Sequence, residues 1–396
     1  MLSKKALNIS PSPTLAISAK AKQMKSEGID VIGFGAGEPD FDTPDHIKEA
    51  AAIALQEGFT KYTPAAGIPE LKEVICEKLK KDNGLDYKPD QIVISNGAKH
   101  SLDNIFASLL DPGEEVIIPA PYWVSYPEMV KLNDGVPVYI ETDSSTGFKV
   151  TLEQLGKACT SKTKALVLNS PSNPTGQVYN REELAVIADF AVKNKIFIIS
   201  DEVYEKIIYD DTEHISIASL GPEINKLAIV VNAVSKTYSM TGWRIGYAAT
   251  PVEIATAMGS IQSHLTSNPN SIAQKASLTA ITGSQDCVEE MKDAFSQRRS
   301  YMVNKVKEIP YMDCLSPEGA FYLFVEVKDT FGKSYKNNKI ADVDDFATHL
   351  LKDYKVAVVP GTGFGAPEYI RLSFATSQDN IKKGLERIEE FVKELR

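Results

Sequence analysis

"KALVLNSPSNPTGQVYNREELAVIADFAVKNKIFIISDE", residues 164–202, shows the organisation of this chain in a single unit. Short runs rich in leucine and β-branched residues stand at both ends, KALVLNS (164–170) and IFIISDE (196–202), and REELAVIADFAVKNK (181–195) between them repeats apolar residues at helical spacing. Two strands separated by a helical crossover become parallel neighbours with the helix laid over the sheet. The alternation extends outward through QIVIS (91–95), EEVIIPAP (114–121) and VPVYIET (136–142) on one side and LAIVVNAV (227–234) on the other. Residues 45–285 are therefore predicted to form a large α/β domain around a mostly parallel sheet. WRIGYAA (243–249) follows the last of these runs too closely for a helical crossover, so it is expected to enter the sheet antiparallel. Outside this unit lie a helix ended by Gly28, TLAISAKAKQMKSEG (14–28), and the strand-like FYLFVEV, VAVVP and YIRLSFA before a final amphipathic helix. Residues 1–44 and 286–396 are read together as one smaller α/β domain.

Several function classes fall away on composition. The 396 residues carry a net charge of -10 with no cluster of Lys and Arg among aromatics, so nucleic acid is not an expected partner. No stretch has the length of a membrane span or the form of a signal peptide, which predicts a cytoplasmic protein with no membrane partner. Cys76, Cys159, Cys287 and Cys314 form no C-x-x-C pair, and the five histidines are scattered, so no metal site is expected.

Three places carry candidate chemistry. In DVIGFGAGEPDFDTP (30–44) the alternating Gly33, Gly35 and Gly37 suggest a dinucleotide loop, but the position that should hold the third fingerprint glycine is Glu38 or Asp40, and Pro39 and Pro44 break the helix that should follow. A glycine-rich turn is the better reading. Ser95-Asn96-Gly97-Ala98-Lys99 joins a strand to a helix with small residues at the helix N-terminus, where free N–H groups suit a phosphate. Lys99 opposes the helix dipole there, and so calls for an anionic neighbour or is a tolerated surface charge. Asp201 and Tyr204 follow one apolar strand, and Ser235 and Lys236 follow the next. Neighbouring strands would let a carboxylate and a lysine converge on a ring cofactor.

The stretch AVSKTYSMTGWRIGYA (233–248) resembles the lysine motif of class I pyridoxal-phosphate aminotransferases, with Arg244 eight residues after Lys236. KYTPAAG, APYWVSY, NSPSNPTG, SDEVYE and PGTGFG…YIRLS appear in that family's order, so the resemblance spans essentially the whole chain, and it is strongest to bacterial aspartate aminotransferases of subgroup Ib. It implies the type I fold of pyridoxal-phosphate transferases, with a seven-stranded sheet, and a homodimer. Lys236 is implied to bind the cofactor covalently and to move the substrate's α-proton, with Asp201 pairing the ring nitrogen and Tyr204 and Asn173 meeting the ring oxygen. Trp123 is implied to stack on the ring. Phosphate contacts are implied at Gly97, Ala98, Lys99, Ser235 and Arg244, with Tyr62 reaching in from a second subunit. For substrate, Arg371 is implied to bind the α-carboxylate, Gly37 to face it, and Lys99 with Thr14 and Ser12 to read a distal carboxylate. Cis peptides are implied before Pro121 and Pro174. Ala233 departs from relatives that have Gly or Ser there, which removes one phosphate contact. The expected reaction is amino transfer between L-aspartate and 2-oxoglutarate. A broader substrate range including prephenate is the alternative, although Ser10 replaces a basic residue of prephenate-accepting relatives, and a lyase on the same fold is the other rival.

Overall fold

The computed structural model describes residues 2–11 and 13–396, so Ser12 lies outside the described residues. Its centre is a seven-stranded sheet made of β2 (Ile92–Ser95), β3 (Glu115–Ala120), β4 (Val136–Glu141), β5 (Thr163–Asn169), β6 (Phe197–Asp201), β7 (Ala228–Ala233) and β8 (Gly246–Ala249). A short β1 (Ile32–Gly33) precedes it in the chain. The spatial order is β2-β8-β7-β6-β5-β3-β4, and every pairing is parallel except the two made by β8. WRIGYAA thus enters antiparallel, as its spacing predicts.

These strands are apolar almost throughout because helices cover both faces. Leu166, Leu168, Ile198 and Val230 enter one core, while the alternate residues Val167, Ile199 and Val231 enter the other. The crossover helix Arg181–Asn194 starts where Asn180 caps it: the Asn180 side chain accepts from the Glu183 N–H, and the Asn180 N–H donates to Glu183.

The C-terminal region builds a second, four-stranded sheet from β9 (Asp313–Cys314), β10 (Tyr322–Glu326), β14 (Val359–Pro360) and β15 (Tyr369–Ser373), and adds a separate hairpin β11–β12 (Ser334–Tyr335, Asn338–Lys339) and the short β13 (Val356–Ala357). The sheet's order is β14-β15-β10-β9, while β1 pairs in parallel with β13. The N-terminal segment is thereby tied to the C-terminal one. Phe295, Phe321, Phe346, Leu385 and Phe391 form the centre of this core, and Val203, Tyr204 and Ile207 from the segment after β6 pack into it as well. The residues following Asp201 therefore join the two sheets. The Ala120–Pro121 and Asn173–Pro174 bonds are cis, as the resemblance implies, and Ser170–Pro171 is cis too.

Candidate active site

Strand direction brings the candidate residues together. Because β8 is antiparallel to both β2 and β7, the strands β2, β6 and β7 run the same way and end at one edge of the sheet. The turn Gly97–Lys99, Asp201, and Ser235 with Lys236 follow those three ends. A cavity of about 750 Å³ opens there, between the two sheets. It is lined by Asp201, Tyr204, Ser235, Lys236, Arg244, Ala98 and Lys99 from the large sheet's side, with Trp123 and Asn173. From the other side come Thr14, Gly37 and Arg371. Gly97 is one residue outside the lining as the N-cap of the helix Ala98–Leu109. Tyr62 does not reach this cavity and is 90% exposed.

The phosphate-type turn is shaped by two close approaches. Gly97 has φ +89°, and a Cβ there would stand 2.3 Å from an Arg244 guanidinium nitrogen. A Cβ on Gly246, in β8, would stand 2.2 Å from the Ala98 nitrogen. Both positions need glycine so that the turn can seat against β8 and Arg244. Arg244 donates to the carbonyls of Thr241 at 2.9 Å and Asn96 at 3.3 Å, which aims it at this turn.

Asp201 and Lys236 are perturbed in opposite senses by the same cause. Burial raises the Asp201 carboxyl to about 6, although Tyr126 Oη–H donates to its Oδ2 at 2.6 Å and favours the carboxylate. Burial lowers the Lys236 amine to about 8, with Arg371 and Arg244 adding to the effect against Glu38. Lys236 Nζ donates to the Gly37 carbonyl. Arg371, on β15, is 1% exposed. One of its nitrogens donates to Asn173 Oδ1 at 2.8 Å and another to the Gly35 carbonyl at 3.0 Å, while Nε is buried without a partner. Lys99 faces the open cavity with its Nζ 4.9 Å from the Trp123 ring centroid, and burial and Arg244 lower its pKa.

The structure adds residues that motif reading missed. Tyr126 contacts Asp201 and meets the Trp123 ring edge-on at 5.3 Å. Asn169 donates to the Asp201 carbonyl at 3.0 Å and accepts from the Asn173 N–H at 2.8 Å. Tyr322 shares a hydrogen bond of 2.8 Å with Tyr204. Ser18, Ala21, Lys22 and Lys25 join the expected Thr14 in lining the cavity as one stripe of the helix Pro13–Ser26, at helical spacing. Behind the site, ligand-type atoms of Glu202, Glu205 and His214 lie within 4.8 Å of one another. Glu202 already accepts from Ser200, Ser216 and His214, and Glu205 from Lys78, Asn83 and Asn232. Both carboxylates of that cluster are thus engaged within the protein, while His214 Nδ1 is buried without a partner.

The family profile "Aminotransferase class I and II" matches residues 29–388. The chain belongs to the class I and II aminotransferases. It is 53% identical over 393 residues to an aspartate aminotransferase of Bacillus sp. (strain YM-2), covering 99% of each chain. It is also 49% identical to a probable aspartate/prephenate aminotransferase of Aquifex aeolicus, over 100% of this chain and 99% of that one. Among solved structures, an aspartate aminotransferase from Rhizobium meliloti superposes with a TM-score of 0.97 at 44% identity, each chain covered in full. One from Thermus thermophilus, solved with maleate, gives 0.93 at 42% with 99% of each chain covered.

As an aminotransferase of this class the protein works with pyridoxal 5′-phosphate. The cavity fits that group on its own features. The glycine cradle at Gly97 with Arg244 suits a phosphate, and Asp201 is a buried carboxylate with no cation at ion-pair distance among the described residues. Lys236 offers an amine whose neutral form burial favours.

Proposed function

We propose that this chain is an aspartate aminotransferase, moving an amino group reversibly between L-aspartate and 2-oxoglutarate in two half-reactions to give oxaloacetate and L-glutamate. The observation that carries this reading is a set of cations in one cavity. Arg244, Lys99 and Arg371 have no carboxylate at ion-pair distance among the described residues, in a chain whose net charge is -10. Lys22 and Lys25 also line the cavity but are exposed, and Lys236 is the reacting amine. The remaining three cations match one phosphate and the two carboxylates of a C4 or C5 substrate. Relatives at 51–53% identity carry the name aspartate aminotransferase.

Pyridoxal 5′-phosphate, when bound, supplies an aldehyde that takes up the amine and a ring that accepts electron density from the substrate's α-carbon. The protein's part is positional and electrostatic. Asp201 would pair with the ring nitrogen and favour its protonated form. Tyr204 and Asn173 would hold the ring oxygen, Trp123 the ring face, and Gly97, Ala98, Lys99, Ser235 and Arg244 the phosphate. Arg371 grips the α-carboxylate in a fork of two donors, with Gly37 behind it. Lys99 with Thr14 takes the distal carboxylate, and Lys236 Nζ takes and returns the α-proton.

The working unit is a cytoplasmic homodimer in which Tyr62 of each subunit serves the other's phosphate site. Residues 45–285 form the cofactor-holding domain, and 1–44 with 286–396 form the smaller one. No described helix is long and apolar enough to cross a membrane.

A half-reaction screen tests the substrate: amino acids are mixed singly with the loaded enzyme and the absorbance change is followed. Aspartate and glutamate are expected to react at least tenfold faster than aromatic or branched amino acids, and the reverse order refutes the acidic-substrate reading. Prephenate is the second reading, favoured by the names of several relatives at 46–49% identity. Ser10, where prephenate-accepting relatives have a base, instead donates its N–H to Glu128 at 3.0 Å. Including prephenate as amino acceptor decides between a narrow and a broad range.

A further inference from the structure

Tyr322 stands on β10, two residues before Phe324, which is the cross-strand partner of Arg371. Residues at that diagonal share one face of the sheet, and the Arg371 guanidinium lies over the Tyr322 ring, 4.3 Å from its centroid. The Tyr322 hydroxyl meets the Tyr204 hydroxyl at 2.8 Å, and the two rings are edge-to-face. Tyr322 belongs to the small sheet and Tyr204 to the segment after β6, so this contact crosses between the two sheets.

Two hydroxyls at this distance share one hydrogen and leave the other free. If Tyr204 donates, its hydrogen is used up on Tyr322. If Tyr322 donates, the Tyr204 hydrogen can point into the cavity. The phenol on which a cation acts most directly is the better donor, and the guanidinium of Arg371 lies over the ring of Tyr322. Burial raises both phenols, and Arg371 opposes that rise in both. The charged groups facing the pair are Arg371, Asp201 and Glu38.

We propose that Tyr322 is a positioning residue: it donates its hydroxyl hydrogen to Tyr204, leaves the Tyr204 hydrogen free for the cavity, and takes the strength of that donation from the Arg371 cation over its ring. The charge state of the carboxylate site is thereby transmitted to Tyr204. A carboxylate that neutralises Arg371 makes Tyr322 a weaker donor, and the chained hydrogen bond from Tyr204 into the cavity weakens with it. This inference rests on the reading above that Tyr204 addresses the ring oxygen of pyridoxal 5′-phosphate.

The test is a pH titration of the absorbance of the loaded protein in four forms: wild type, Y204F, Y322F and the double variant. Y204F is expected to raise the midpoint, because the anionic ring oxygen loses a donor. Y322F is expected to raise it by about half a unit, a ~3-fold change in proton affinity, and to add nothing in the Y204F background. No shift in Y322F, or an equal shift with and without Tyr204, overturns the proposal while leaving the reading of the site intact. No shift in Y204F overturns both. Phenylalanine keeps the ring that packs on Phe321, and a measurement on wild-type protein removes any dependence on folding of the variant. In loaded protein labelled at tyrosine Cζ, maleate, a dicarboxylate that cannot react, is expected to move the carbon signals of Tyr322 and Tyr204 together. Movement of Tyr322 alone refutes the coupling.

Discussion

Lys236 and Asp201 show burial acting on single residues with opposite results. The Lys236 amine is lowered to about 8 from 10.5, so its neutral form is available well below the pH at which a surface lysine deprotonates. In cofactor-free protein, modification of Lys236 by a small amine-directed reagent should rise to half its maximal rate near pH 8, with peptide mapping as the measurement. A half-rate near 10.5 would show that the amine is fully hydrated. The Asp201 carboxyl is raised to about 6 by burial and pulled back by the Tyr126 hydroxyl. Y126F removes that donor without removing the ring against Trp123. A hydrogen bond to a charged group is worth about 1.5–3 kcal/mol, which corresponds to about one unit or more of pKa. Carbon NMR of the cofactor-free protein should therefore place Asp201 higher in Y126F than in wild type, and an unchanged value would show that Tyr126 only fills space. Asp201 and Lys236 were legible in the sequence because charged residues stand out at the ends of apolar strands, whereas Arg371 was reached only through the resemblance, since a charge inside a strand can equally face solvent. Tyr126 and Tyr322 were not legible, because an aromatic in an apolar run reads the same whether it fills a core or points its hydroxyl into a site.

At the scale of elements, the segment after β6 is anchored from behind by Glu205. Its carboxylate accepts from Lys78 and from Asn83, both in the helix Pro69–Asn83, and from Asn232 in β7, four residues before Lys236. Burial opposes ionisation here, but the Lys78 charge, the nearby His214 and the hydrogen bonds from Lys78 and Asn83 hold Glu205 down to about 2. A carboxylate depressed in the folded state contributes stability that is present above its ordinary value of 4.5 and is lost as pH falls toward about 2. E205Q removes the nearer of the two counter-charges of Lys78 and leaves Asp82 at 3.7 Å, so the cost should fall below the about 3–5 kcal/mol of a buried charge left wholly unpaired. Thermal unfolding of E205Q should show a clear drop at neutral pH and a loss that shrinks against wild type as the pH is lowered below 4.5. Equal stability at neutral pH would show the pair to be dispensable. The strands themselves were readable in advance, since β5, β6 and β7 are buried on both faces and so appear as unbroken apolar runs. The network at Glu205 was not readable, because its members are 127 and 27 residues away from it in the chain.

For the whole molecule, Tyr62 is the residue that asks for a second copy. It is an aromatic 90% exposed on one chain, outside the cavity that its motif associates it with. Co-expressing Y62A with K236A should restore activity that each variant lacks alone, because in the mixed dimer one site receives an intact lysine from one chain and an intact tyrosine from the other. Mixed dimers isolated with two tags and found inactive would refute a shared site. The chain's own amino-acid order determined the α/β alternation, the antiparallel entry of WRIGYAA and the standing of Asp201 and Lys236 at strand ends, because strand period, crossover length and charged side chains after apolar runs are local properties. Which of those residues meet was decided only in three dimensions. Residues 35 and 371, or 204 and 322, are brought together by the strand order and by the pairing of β1 with β13. The shifts at Asp201 and Lys236 likewise come from the protein mass closed around them, since desolvation depends on neighbours that folding, and not sequence proximity, supplies.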